Sequence, residues 1–159
     1  MDSTDDTNKH RSRVHEILRL ICGNLEKRGG EHDLSKLGPK EKPIFDEFTP
    51  KLKGVAYGSP EYKKFLAEME VALAHHYGEN SHHPEHFKDG VNDMTILDVV
   101  EMLADWKAAS ERHDDGDVMR SLEVNAKRFS ISPQLLSIMK NSAREMGWAN
   151  EDGGQKAEA

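Results

Sequence analysis

Apolar residues recur every three or four positions along most of the chain, which is the spacing of one face of an α-helix. The first series consists of Val14, Ile17, Leu18, Ile21 and Leu25. It predicts a helix from about residue 8 to Arg28, ended by Gly29 and Gly30 because glycine favours the position just past a helix. His15 flanks the apolar face of this helix.

Further stretches carry helical signals of the same kind. They are 39–48, 59–77, 95–112, 118–129 and 132–148. Ser59 to Glu61 supplies a hydroxyl cap, a proline at the first helical position and an acid in the first turn. Thr95 to Asp98 matches a capping box with Asp in place of Glu. Residues 78–94 lack this periodicity and predict an irregular connection, and no stretch alternates as a strand does, so the predicted fold class is all-α.

Length and composition restrict the domain plan and the classes of partner. With 159 residues the chain is most simply one domain. We predict a flexible N-terminus over 1–7, a helical domain over 8–148 and a disordered tail over 149–159. The net charge of -7, from 29 acidic and 22 basic residues, disfavours broad nucleic-acid binding.

The apolar runs and the single cysteine indicate a soluble protein of a reducing compartment. No apolar run approaches the ~20 residues that a membrane span requires. The N-terminus lacks the basic start and apolar core of a secretory signal, and Cys22, the only cysteine, cannot form an internal disulfide. We therefore expect a cytoplasmic protein with no membrane partner.

Histidines and two aspartates follow one another along the chain at intervals that indicate one metal pocket. The series is His15, His32 with Asp33, His75 and His76, His82, His83 and His86, and Asp105. Imidazole and carboxylate are the usual ligands of Zn, Fe, Mn or Co. His76 shares a helical face with apolar residues whereas His75 lies off that face, so His76 is the one expected to point inward.

Three carboxylates form a narrow stripe on the helix predicted from Thr95. Asp98, Glu101 and Asp105 are surrounded there by apolar side chains, so the helix is expected to be buried and its carboxylates to need partners. We interpret Asp98 as the helix cap and Glu101 as a residue that orients a ligand histidine.

The order of a helix-borne His, a His-Asp pair, further His and a late Asp resembles the HD superfamily of metal-dependent phosphohydrolases. The resemblance places its four core positions on His15, His32, Asp33 and Asp105, and implies a compact HD-type helical bundle. Lys36, three residues after Asp33, stands where the superfamily often has a polar residue, and its ammonium would suit a phosphate oxygen. The run from His75 to Asn80 looks like the insertion found in members with a second metal.

Over a wider span, the chain looks like a small family of phage and bacterial proteins with no assigned function. The runs that carry this resemblance are Gly54 to Tyr62, His75 to His86 and Asp98 to Trp106. It covers roughly residues 10 to 145 and implies no substrate.

These residues lead to the hypothesis of a phosphohydrolase that acts on a nucleotide or nucleotide-like phosphoester through metal-activated water. The predicted metal ligands are His15, His32, Asp33, His76 and Asp105, the predicted catalytic residues are Lys36 and Glu101, and the predicted substrate-binding residues are His82, His83, His86 and Tyr57. The expected cofactor is a divalent metal, Mn, Fe, Co, Zn or Mg, with one or two ions per chain.

Two other functions stay open. An HD-type di-iron oxygenase would use an additional histidine such as His76 for its second iron. A non-catalytic binding protein would use the metal only to join helices, with no open coordination position.

An apolar face on the helices of residues 118–148 would suit a homodimer.

Plainer interpretations also apply to single residues. His32 and Asp33 could cap the following helix, Asp105 could be a solvated acid, and His82 to His86 could be a surface cluster that binds adventitious nickel or zinc. Most of the methionines are expected in the core.

Overall fold

The computed structural model describes residues 2–56, 59–112 and 116–149, and these ranges confirm the all-α fold class. They contain seven α-helices, three short 3-10 turns and no strand. The α-helices are α1 (Thr4–Glu31), α2 (Lys42–Lys53), α3 (Pro60–Glu68), α4 (Glu70–Glu79), α5 (Ile96–Ser110), α6 (Val118–Arg128) and α7 (Pro133–Glu145). The 3-10 turns are Leu34–Leu37, Pro84–His86 and Gly90–Asp93. The chain divides into two compact units, Met1–Asn80 and Ser81–Ala159. Within the described ranges, no helix has the length and apolar content needed to cross a membrane.

Helix α1 is longer than its sequence predicts at both ends. It begins at Thr4, inside the stretch for which a flexible start is predicted, and Asp2 accepts hydrogen bonds there from the backbone and side chain of Thr4. It also continues through Gly29 and Gly30 to Glu31, so the predicted stop was wrong. Glycine ends a helix when it adopts a positive φ, and here Asp33 is the residue that does so, with φ 57.

The remaining helices of the first unit differ from the prediction in two places. The second helix begins at Lys42 and not at Pro39, and it continues past Pro50 to Lys53. The predicted third helix is two helices, α3 and α4, because Met69 leaves the helical angles with φ -88 and ψ 1. Its side chain is buried. Ser59 does cap α3 as predicted, accepting from the N–H of Tyr62 at 3.1 Å.

The turn Leu34–Leu37 is the element that positions the polar interior of the first unit. It packs against α2 and α4, and α3 packs against both α2 and α4. The His-Asp pair lies directly before this turn, because His32 is the C-cap of α1 and Asp33 the residue before Leu34. The end of α1, the start of α2 and the end of α4 therefore present their side chains to one another.

The second unit is built on α5, α6 and α7, with α6 packed against both of the others. Its core cluster is Val99, Met102, Leu103, Val118, Leu122, Ala126, Ile131, Met139 and Ala143. The predicted capping box of α5 is confirmed, with the N–H of Asp98 donating to Thr95 and that of Thr95 donating to Asp98. Met69, Met102 and Met139 are buried, as expected for most of the methionines, but that expectation was wrong for Met146, which is 56% exposed.

Three predicted boundaries of this region were wrong by a few residues. Helix α4 reaches Glu79 before the connection begins, and the connection itself contains two 3-10 turns. Helix α5 ends at Ser110. Helix α7 ends at Glu145 because Gly147 takes φ 68, which lets the N–H of Trp148 donate to Ala143 and close the helix. The predicted disordered tail lies outside the described residues, apart from residue 149.

Candidate functional site

The His-Asp pair occupies a tight turn at the end of α1. Asp33 holds φ 57 and ψ 13, a left-handed conformation that Asp tolerates better than most residues because of its short polar side chain. Its Oδ2 accepts from the Lys36 ammonium at 2.5 Å and lies 3.6 Å from His32 Nε2. Its Oδ1 is buried and lies 3.2 Å from His76 Nε2. The turn thus aims one oxygen of Asp33 at α4.

His76 is the inward-pointing histidine of α4, as its helical position predicts. The residue is 1% exposed, whereas the side chain of its neighbour His75 is 26% exposed. His76 Nδ1 lies 3.0 Å from Glu41 Oε2 and 3.1 Å from Ser35 Oγ. The ring is therefore contacted at both nitrogens, by Glu41 on one side and by Asp33 on the other.

Glu41 is a functional candidate that the sequence analysis missed. It is fully buried beside the N-terminus of α2, and its two oxygens face His75 Nδ1 at 2.6 Å and His76 Nδ1 at 3.0 Å. Ser35 Oγ donates a third hydrogen bond at 3.1 Å. In the sequence, Glu41 lies between Lys40 and Lys42, a pattern typical of a solvated surface, so no local signal distinguishes it.

The proton positions in this network follow from donor and acceptor chemistry. An ionised carboxylate only accepts, so the Nδ1 atoms that face Glu41 carry the protons. In the neutral imidazole of His76, Nε2 then holds a lone pair, and this lone pair faces the Oδ1 of Asp33. With the proton on Nδ1, a cation between Nε2 and Oδ1 would stabilise this contact, either a second proton on the ring or a metal ion.

The second unit contains a similar pairing of a buried histidine and a carboxylate. His82 is buried, and its Nδ1 lies 3.0 Å from Glu101 Oε1 on α5. Its Nε2 is also buried, and the ring of His83 lies 4.2 Å away between centroids. By the same chemistry, the ionised Glu101 favours a proton on Nδ1 of His82, which places the lone pair of a neutral ring on Nε2.

Asp98 and His86 have roles different from those of His82. Asp98 is buried as the cap of α5 and also accepts from Ser81 Oγ at 2.6 Å. His86 is exposed and packs its ring edge against Phe87. Asp98 is thus engaged in local structure, and the predicted substrate role of His86 stays a prediction.

Each unit holds side chains that could serve as metal ligands. In the first unit they are His32, Asp33 and His76, and in the second they are His82, His83 and Glu101. Imidazole nitrogen and carboxylate oxygen together suit Zn, Fe, Mn or Co better than Ca, which takes oxygen ligands alone. The donor set therefore fits a divalent transition metal.

The structure places the other predicted site residues as follows. His15 is exposed on α1 and Asp105 is half-buried on α5, and their ligand roles stay predictions. Lys36 pairs with Asp33, and its Nζ lies 5.3 Å from the centroid of the Phe45 ring. Lys36 thus stabilises the turn, and its catalytic role stays a prediction. Tyr57 lies outside the described residues.

The comparisons with known proteins identify a family and no characterised relative. A family model described as "Family of unknown function (DUF5662)" matches residues 1–145. No curated protein and no solved structure matches the chain.

Proposed function

The chain belongs to DUF5662, a family of unknown function, and we propose that it is a metal-dependent phosphohydrolase that acts on a nucleotide or nucleotide-like phosphoester. The observation that carries the proposal is the approach of Asp33 Oδ1 to His76 Nε2 at 3.2 Å. The contribution of the sequence is the order of His, His-Asp and late Asp, which resembles the HD superfamily. The contacts argue for the metal, and the resemblance argues for phosphoester hydrolysis.

The charges around the His76 ring favour a bound cation. Asp33 and Glu41 are two carboxylates on opposite sides of the His76 ring, at 3.2 and 3.0 Å from its nitrogens. Buried carboxylates need nearby positive charge or hydrogen-bond donors, because burial penalises their charged form. Lys36 supplies positive charge to Asp33 Oδ2 only. A divalent cation bound by Asp33 Oδ1 and His76 Nε2 would add positive charge on the opposite side of the Asp33 carboxylate.

The side chains around the proposed metal have different roles. A divalent transition metal supplies Lewis-acid activation of water for attack at phosphorus. Asp33 and His76 are its proposed ligands in the first unit, while Lys36 holds the carboxylate of Asp33 in place. In the second unit, Glu101 fixes the ring of His82, and His82 and His83 are available as ligands or as contacts for a phosphate.

Metal content tests the binding part of this proposal. Untagged protein purified without chelator is expected to contain transition metal, and Asp33→Ala is expected to lose it while keeping its helical content. His10→Ala is the matched control, since His10 is exposed on α1. Elemental analysis per chain gives the readout, and full metal content in Asp33→Ala would refute the assignment.

Hydrolysis tests the catalytic part. Bis-p-nitrophenyl phosphate and a panel of nucleoside mono-, di- and triphosphates, each with added Mn, Co or Zn, are expected to show turnover by the wild type and none by Asp33→Ala. Two irons per chain with oxygen uptake would instead favour the di-iron oxygenase. Tightly bound metal without any turnover would favour the non-catalytic binding protein.

A further inference from the structure

Glu41 is a carboxylate placed entirely inside the first unit, where its backbone is fixed by α2. Its carbonyl accepts from the N–H groups of Ile44 and Phe45 at 3.0 Å, and its own N–H donates to Gly38 at 3.2 Å. The side chain is 0% exposed. The carboxylate therefore occupies a fixed position, set by the first turn of α2.

The hydrogen bonds around Glu41 have a defined direction. Asn80 Nδ2 donates to Ser35 Oγ at 2.8 Å, so this hydroxyl accepts from Asn80 and directs its own proton to Glu41 Oε2 at 3.1 Å. His75 Nδ1 donates to Oε1 at 2.6 Å, and His76 Nδ1 donates to Oε2 at 3.0 Å. Glu41 thus faces three donors. His76 Nδ1 also lies 3.1 Å from Asn80 Nδ2, which can only donate, so the charge of the ionised Glu41 is what favours a proton on this ring nitrogen.

We propose that Glu41 is a positioning residue that selects the Nδ1–H tautomer of His76 and so presents Nε2 to a divalent transition metal at Asp33. This inference rests on the proposed function and names the residue that prepares its ligand. A carboxylate behind a ligand histidine also raises the basicity of the ring, and loss of such a partner typically weakens metal affinity about 10- to 100-fold.

The alternative is that Glu41 only fills space and joins α2 to α4. A purely structural carboxylate would not fix which nitrogen of the neutral His76 ring carries the proton, and metal affinity would not depend on the charge of Glu41. The tautomer of His76 and the dissociation constant for metal separate these two roles, since neither follows from helix packing alone.

The tautomer of His76 can be measured on the wild-type protein. Two-bond ¹H–¹⁵N spectra of the metal-free protein, recorded at a pH high enough for the His76 ring to be neutral and with His76 assigned by comparison with His76→Gln, are expected to show the remaining ring proton on Nδ1. A neutral ring protonated at Nε2 would overturn the proposal. Because this measurement uses neither metal nor substrate, it stands even if the protein hydrolyses nothing.

Glu41→Gln tests whether metal affinity depends on the charge of Glu41. The amide is nearly isosteric, but its nitrogen donates, so it cannot accept from both histidines, and the dissociation constant for Co²⁺ measured by titration is expected to rise about 10- to 100-fold. The matched control is Glu79→Gln, which removes an exposed carboxylate 3.9 Å from His75 Nε2 and is expected to leave Co²⁺ binding unchanged.

The outcomes of the Co²⁺ titration are distinct. Equal affinity of wild type and Glu41→Gln, with circular dichroism showing intact helices, would refute the positioning role. Absence of Co²⁺ binding by the wild type would refute the metal-dependent function, while the spectra of the metal-free protein would still decide the tautomer. If Glu41→Gln does not fold, those wild-type spectra alone decide the proposal.

Discussion

The two units of the chain bury different proportions of polar and apolar side chains. The interior of the first contains a carboxylate and an imidazole in contact, Glu41 and His76, each at most 1% exposed. The second also buries His82 and Asp98, but it adds a continuous apolar cluster contributed by α5, α6 and α7. Apolar burial stabilises a fold without needing one particular partner, whereas a buried polar group stabilises it only when its partners are present. The first unit therefore depends more on its polar partners than the second, which has a larger apolar core.

Helix α1 makes the contrast sharper, because it contributes no buried residue to the first unit. Its exposed large apolar residues are Val14, Ile17, Leu18, Leu20 and Ile21. The buried apolar residues of the first unit are only Phe48, Met69 and Ala72 among those that the structure describes. The first unit therefore gains less from apolar burial, and its polar network carries more of the specificity of its fold.

The largest expected effect is a cavity in the apolar core of the second unit. Leu122 is 0% exposed, and Leu122→Ala should lower the free energy of unfolding by about 2–5 kcal/mol, because the lost transfer energy is added to the cost of the cavity. Urea denaturation with and without chelator should give the same loss. Val124→Ala, at an exposed position of the same helix, should change stability by no more than about 0.5 kcal/mol.

A smaller effect, confined to the first unit, should follow addition or removal of metal. Binding to the folded state alone stabilises it by about 2.7 kcal/mol when free metal is 100 times its dissociation constant. Added Co²⁺ should thus raise the Tm of the wild type and of Leu122→Ala alike, and should leave that of Asp33→Ala unchanged. A chelator should reverse the shift. If Co²⁺ raised the Tm of Asp33→Ala by the same amount, the stabilising metal would not be bound at Asp33. The proposed metal dependence of the first unit would then have no support.

The smallest effect should come from the surface of the second unit, at the ion pair between Glu123 on α6 and Lys140 on α7. The hydrogen bond and the charge of Lys140 hold the pKa of Glu123 below its ordinary value of 4.5. A carboxyl with a lowered folded pKa contributes stability above the unfolded value, and this contribution disappears as the pH falls through the folded one. Because Glu123 is fully exposed, solvent screens the pair and the contribution is small.

Glu123→Gln therefore should lower the urea midpoint slightly at pH 7, and the difference from wild type should vanish in acid well below pH 4.5. Glu145→Gln, at an exposed carboxylate of α7, is the control for loss of one surface charge. A difference for Glu123→Gln that grows as the pH falls would mean that the pair does not lower the pKa of Glu123 in solution.

Local signals in the sequence predicted most of the helices and the orientation of one site residue. The caps at Ser59 and Thr95 act within three residues of the helix start, so they are visible without any tertiary contact. The inward position of His76 followed in the same way from the 3.6-residue period of its helix. These features depend on neighbours within one or two turns.

Other features depended on what lies nearby in space. The break at Met69 lies inside a periodic stretch with no proline or glycine to announce it, and the end of α1 is set by Asp33, not by the two glycines before it. His82 was predicted as a substrate contact, and only the position of Glu101, nineteen residues further along the chain, revealed its buried pairing.

The sequence alone determined that this protein is helical, where most of its helices begin, and which types of donor atom it offers to a metal. Only the tertiary structure decided which donors face each other. Glu41 shows the physical reason, since it lies 34 and 35 residues before the two histidines that it contacts. No helical period or cap links residues at that separation, and a buried carboxylate between two lysines differs from a solvated one only in the side chains that the fold brings to it.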